Sequence, residues 1–302
     1  MAQPIIRNRA PEGNPLKPAK TIKVSPPAPG EVKPFALPTE KSAASMNMND
    51  HSWLIYGAKK IGKTSLACQF PGHLLFSFEP ASKSVEAYKV DCPTWDAFLG
   101  YIAELESATH EFKTVIIDTG YEAYYRCMEY VCGKNHIEHP GAQNDFGASW
   151  SKVTTEFRKA HLRLAVLGLG MIVVFHETLK DSETLAGQKF DMVLPNWPSQ
   201  AENLYRAIID NVVHYHYRGK DRFLLVRGSD YATAGVAMNF KTPEGEDIYA
   251  VPGGTSAQDA FEYLGIAFTN EQQYPFKDET DGDTQEKLAD SMRKKLRNKK
   301  QR

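Results

Sequence analysis

Short apolar runs alternate with helix-period stretches over residues 49–270. The runs lie at 52–56, 74–78, 114–117, 171–175, 207–217 and 223–226. Most are rich in Val, Ile, Phe or Tyr and short, as strands buried on both faces are. Between them the spacing predicts helices over 63–69, 94–108, 121–132 and 150–167, with Thr94 as the N-cap of the second. Strands alternating with helices imply an α/β fold, a mostly parallel sheet with helices on both faces. The last two runs are joined by Arg218-Gly219-Lys220-Asp221 and read as an antiparallel hairpin at one edge of that sheet.

The ends of the chain do not share this pattern. Residues 1–48 hold nine of the 18 prolines and carry seven Lys/Arg against three acids. Such a segment buries too little apolar surface to offset its ordering entropy, so a disordered basic arm is expected. Residues 271–302 run from acidic (Asp278, Glu279, Asp281, Asp283, Glu286) to basic, with eight Lys/Arg in 287–302. A flexible tail is expected there, which leaves 49–270 as one folded domain. No apolar run approaches the ~20 residues that span a bilayer, and no apolar signal core opens the chain. These features and four cysteines in 302 residues point to a reducing cytoplasm and no membrane partner. With a net charge of −1, contact with nucleic acid would need local basic patches.

The chemistry concentrates at strand ends. Gly57-Ala58-Lys59-Lys60-Ile61-Gly62-Lys63-Thr64-Ser65 is a complete G-x-x-x-x-G-K-T motif, placed directly after a strand and at the start of a helix. There the glycines let backbone N–H groups wrap a phosphate, Lys63 reaches the β- and γ-phosphates, and the Thr64 hydroxyl holds Mg²⁺. The run Thr114-Val115-Ile116-Ile117 ends in Asp118, a second oxygen contact for the cation. The run 74–78 ends in Glu79, a carboxylate able to activate an attacking water. Asp118 is followed by Thr119, not by Glu, so Glu79 is the natural base. The run 171–175 ends in His176, whose neutral imidazole can hydrogen-bond a γ-phosphate.

The phosphate loop, Glu79, Asp118 and His176, taken in order, resemble the RecA-like core. More narrowly they are similar to phage-type RecA-like nucleotide-binding ATPases, a group that includes recombinases and single-strand annealing proteins. Phe70-Pro71 and Val173-Val174-Phe175-His176-Glu177 share that resemblance, which covers about residues 51–240. In RecA itself a glutamine stands where His176 stands. The resemblance implies ATP or dATP with Mg²⁺, catalytic roles for Lys63, Glu79 and His176, and metal contacts from Thr64 and Asp118. It implies a homo-oligomer in the cytoplasm of a bacterial host, with a neighbour's cation (Lys220, Arg222 or Arg227) completing each site. It also implies single-stranded DNA as partner, with a single-strand-binding protein as a further candidate. The two DNA-binding loops of RecA-like proteins match residues 133–148 and 178–203. The second holds Lys180, Lys189, Phe190 and Trp197, suited to phosphate pairing and base stacking. It also holds Asp181, Glu183 and Asp191, and reads equally as a solvated loop.

Two other function classes share the phosphate motif. A nucleotide kinase needs an arginine-bearing lid, and residues 178–203 contain no arginine. A non-hydrolysing scaffold or loader would not need Glu79. Cys127, Cys132, His136 and His139 resemble a metal set but lack the spacing of structural zinc sites. They read as buried cysteines and loop histidines, and Cys68 and Cys92 as core residues.

Overall fold

The computed structural model describes residues 39–79, 84–142, 144–183, 189–229, 231–238, 240–242 and 245–269. The tail and most of the N-terminal arm expected from the sequence lie outside these residues. The folded elements belong to one compact unit that begins at Ala44.

Each predicted apolar run forms or contains a strand, because that stretch can be covered on both sides. In chain order the elements are β1 (Ser52–Gly57), α1 (Lys63–Ala67), β2 (His73–Ser77), β3 (Lys89–Asp91), α2 (Trp95–Ser107), β4 (Thr114–Asp118), α3 (Gly120–Asn135), α4 (Ala148–Ala165), β5 (Gly170–Glu183), β6 (Lys189–Pro195), α5 (Ser199–Ile208), β7 (Asn211–Arg218), β8 (Asp221–Leu225), β9 (Ala250–Pro252) and α6 (Ala257–Thr269). Among the described residues the sheet has nine strands in the order β3-β2-β4-β5-β1-β7-β8-β9, with β6 paired to β5. Strands β3 through β7 in that order run parallel. The pairs β7–β8 and β8–β9 are antiparallel, which makes the expected edge hairpin and adds one strand to it.

Side chains alternate across the sheet, so odd and even positions build two cores. Leu54, Tyr56, Phe76, Ile117, Val173 and Phe175 face Phe98 of α2 and Phe157 of α4. Trp53, Ile55, Leu75, Ile116, Ile172 and Val174 face Leu66 of α1 and Leu264 of α6. Thr94 caps α2 as expected, its side chain accepting from Ala97 N.

The structure differs from the sequence reading in several places. The apolar run 207–217 is the end of α5 followed by β7, since Ala207 and Ile208 continue the helix whose Leu204 and Tyr205 are buried. An amphipathic last turn and a strand start look alike when they adjoin. Strand β5 does not stop at Phe175 but runs on to Glu183 and pairs with β6. Much of the predicted loop 178–203 is therefore a two-stranded ribbon followed by α5. Helix α6 went unpredicted although Ala260, Leu264, Ala267 and Phe268 mark its buried face. Its start carries a capping signal too: Ser256 Oγ accepts from Asp259 N while Asp259 accepts from Ser256 N.

Candidate active site

The register of the parallel strands creates the site before any side chain is considered. Gly57 lies opposite His176, Asp118 opposite Val174, and Ser77 opposite Asp118. The ends of β1, β2, β4 and β5 thus meet at one carboxyl edge, where α/β sheets place their ligands.

The phosphate loop leaves β1 through Gly57. A Cβ at this position would sit 1.9 Å from the Tyr215 carbonyl oxygen on β7, so only glycine fits. Gly57→Ala should cost about 1–3 kcal/mol, the range for overpacking a rigid contact. A thermal melt checks this. Ile61 is fully buried in the α1-side core and pins the loop, while Lys59 and Lys60 are exposed. Gly62 takes a left-handed conformation (φ 109°) and opens α1 without a side-chain cap.

Lys63 is not the exposed loop lysine its sequence context suggests; it is only 5% exposed. Its Nζ donates to Gly57 O at 3.0 Å and Ala58 O at 2.8 Å. Burial lowers its pKa to about 8, against the opposing pull of Asp118, Glu177 and Glu79. Nζ also meets His176 Nδ1 at 3.3 Å. An ammonium only donates, so Nδ1 is the acceptor and the imidazole proton sits on Nε2. Burial, and then Lys63, hold the His176 pKa below its ordinary value. His176 is therefore neutral at pH 7, with Nε2 3.8 Å from Glu79 Oε1.

Thr64 Oγ1 donates to Asp118 Oδ2 at 2.8 Å. Asp118 is almost buried, and burial raises its pKa, with Glu79 adding to the rise and Thr64 and Lys63 opposing it. A hydroxyl and a carboxylate oxygen beside a phosphate loop are hard donors of the kind Mg²⁺ takes. Among the described residues no group of three or more His, Cys, Asp or Glu side chains forms a metal cage. A divalent cation here would rely on Thr64, Asp118, water and the ligand's own oxygens, which is how Mg²⁺ is commonly held.

Glu79 is aimed by two residues that sequence reasoning left without a role. Thr119 Oγ1 donates to Glu79 Oε1 at 3.1 Å, and Ser77 Oγ donates to the Glu79 carbonyl at 2.7 Å. Both are hydroxyl residues at the ends of the strands flanking the carboxylate, a signal legible in the sequence. Lys59, Lys60, Gly62, Lys63, Thr64, Ser65, Glu79, Asp118, Thr119 and His176 line one cavity of about 450 Å³, together with Ser84, Val85 and Val174. That volume falls in the usual range of about 300–1,000 Å³ for ligand sites. Of the residues singled out from the sequence, Lys63, Thr64, Glu79, Asp118 and His176 meet in it, while Gly57, Ala58 and Ile61 do not line it.

One further contact lies behind the site. Glu177, next to His176, points to the opposite face and meets the buried His214 (Oε2 to Nε2, 2.9 Å). His214 stacks on Tyr56 and on His216, whose pKa burial lowers to about 3. This anchors β5 where it leaves the sheet for the β6 ribbon.

Other candidates fall elsewhere. Cys127 and Cys132 are buried on α3, the Cys127 thiol facing Val153 O. His136 caps α3, and His139 packs edge-on against Trp150. Arg222 donates to Thr255 O and Arg227 pairs with Asp247 at 2.8 Å, while Lys220 is exposed at the β7–β8 turn. No described helix is long and apolar enough to cross a membrane.

The family model described as an AAA domain matches residues 49–246. No curated protein matches the chain. Among solved structures, a KaiC-like protein from the hyperthermophilic archaeon Pyrococcus horikoshii OT3 is similar at 14% identity, covering 70% of this chain and 88% of that one (TM-score 0.39). A RadB recombinase is similar at 13% identity, covering 62% and 85% (TM-score 0.37). With the family match spanning the phosphate loop, Glu79, Asp118 and His176, the chain belongs to the AAA-domain family of P-loop proteins.

Proposed function

We propose that this protein is a Mg²⁺-dependent, RecA-like ATPase that acts on single-stranded DNA in phage-type recombination or replication. The observation that carries the ATPase reading is the convergence of Lys63, the Thr64–Asp118 pair, the Thr119-held Glu79 and neutral His176 on one cavity. Lys63 binds the β- and γ-phosphates of ATP or dATP in place of its present carbonyl partners. Glu79 takes a proton from the attacking water, whose oxygen bonds to the γ-phosphorus. The β–γ bridging oxygen leaves with the bonding pair, giving ADP and phosphate. Thr64 and Asp118 would hold Mg²⁺, which supplies charge that offsets the phosphates. His176 Nε2–H donates to the γ-phosphate and so distinguishes ATP from ADP.

DNA binding rests on two features. Strand β5 carries His176 and continues without a break into the β5–β6 ribbon, so a nucleotide contact and a two-stranded ribbon share one strand. The eight cations of residues 287–302 supply backbone charge. Each phosphate contact contributes about 0.7 to the log–log salt slope on single strands. Deleting 287–302 should therefore weaken single-strand binding at low salt and flatten its salt dependence, with DNA-free ATP hydrolysis unchanged. A salt titration by fluorescence anisotropy checks this, and an unaltered slope would return the tail to a solvating role. On DNA we expect a cytoplasmic homo-oligomer, with a neighbour's Lys220, Arg222 or Arg227 reaching the nucleotide and a single-strand-binding protein as accessory partner. The test of the whole reading is ATP hydrolysis with and without single-stranded DNA, alongside molecular mass measured with nucleotide.

A further inference from the structure

The cavity holds more positive charge than its motif requires. Lys63 and Thr64 are fixed by the phosphate-loop pattern, but the positions of Lys59 and Lys60 are free in it, and both line the cavity. Lys63 is already engaged by Gly57 O, Ala58 O and His176. Lys59 is exposed, and among the described residues no carboxylate pairs with it. It follows Ala58, whose carbonyl Lys63 holds, and precedes Lys60, whose backbone is left-handed (φ 64°). The loop turns at these two lysines, which both line the cavity. The charge of Lys59 bears on both Lys63 and His176, opposing the protonated form of each.

We propose that Lys59 is a catalytic residue whose ammonium contacts a terminal-phosphate oxygen of bound nucleoside triphosphate within the same subunit. This rests on the reading of the cavity as a triphosphate site. Lys63 binds from the β1 side and Lys59 from the mouth, so the γ-phosphoryl group lies between two cations. As the bridging oxygen departs with its electron pair, charge on the phosphoryl oxygens stays paired, which is where preorganised cations act most strongly. An isolated subunit then has a basal turnover, to which a neighbour's cation would add.

The test compares full-length Lys59→Gln, Lys59→Arg and Lys63→Ala for binding of Mg-ADP and of a non-hydrolysable Mg-ATP analogue, and for ATP turnover. Lys59→Gln should bind ADP within about twofold of the parent and the analogue about tenfold more weakly, with turnover down about 10²-fold, as when one charge-stabilising donor is removed. Lys59→Arg should recover most of that turnover. The proposal is overturned if Lys59→Gln matches the parent in analogue affinity and turnover while Lys63→Ala loses ADP binding. Equal weakening of ADP and analogue would also overturn it, by moving Lys59 to an inner phosphate. If Lys63→Ala binds both ligands like the parent, the triphosphate reading itself falls.

Discussion

Lys63→Ala should bind Mg-ATP about 10²–10⁴-fold more weakly than the parent, the loss expected from two charge-assisted contacts at roughly 1.5–3 kcal/mol each. Lys63 is the one cation that is both fixed by the motif and held inward at the base of the cavity. Its two backbone acceptors, Gly57 O and Ala58 O, keep it there. The fold should hardly notice the change. Removing the lysine relieves the burial that lowers its pKa to about 8, and it also removes three contacts. The two effects oppose each other, so the thermal midpoint should move by only a few degrees. Calorimetric titration with Mg-ATP, beside a thermal melt, separates lost binding from lost structure. Parent-like affinity in a folded variant would show that the phosphates bind elsewhere.

Glu79→Gln should behave in the opposite way, keeping nucleotide and losing chemistry. The amide preserves shape and can still accept from Thr119 Oγ1, but it cannot take a proton from water. Removing a general base costs about 10²–10⁴ in rate, so turnover at saturating ATP should fall by that factor with ATP affinity within a few-fold. Phosphate release at saturating ATP measures this directly. Unchanged turnover would assign the base to another group and leave Glu79 as a surface acid. The same comparison separates a hydrolase from a nucleotide-dependent scaffold, which would show no turnover for either protein.

The central sheet and the strand-end residues were legible because each rests on a local signal. Four apolar runs lead into Gly57, Glu79, Asp118 and His176, and parallel pairing brings the ends of such runs together. The elements that escaped have weak local signals or depend on distant partners. Strand β3 has three largely exposed residues and exists by pairing with β2. Among the described residues the outer half of β5 pairs only with β6, and its polar alternation reads as a loop. Helix α6 is the exception, since Ser256-x-x-Asp259 and its apolar spacing were there to be read. Within the site, the burial of Lys63 could not be seen from sequence. It depends on contacts to Gly57 O and Ala58 O and to His176, a residue more than 100 positions away.

The most direct measurement is phosphate release from Mg-ATP by the full-length protein, followed as single-stranded DNA is titrated in. A RecA-like ATPase acting on DNA should show a basal turnover that needs Mg²⁺, disappears with Lys63→Ala and rises with DNA. A protein that binds Mg-ATP yet releases no phosphate, with or without DNA, would contradict that reading.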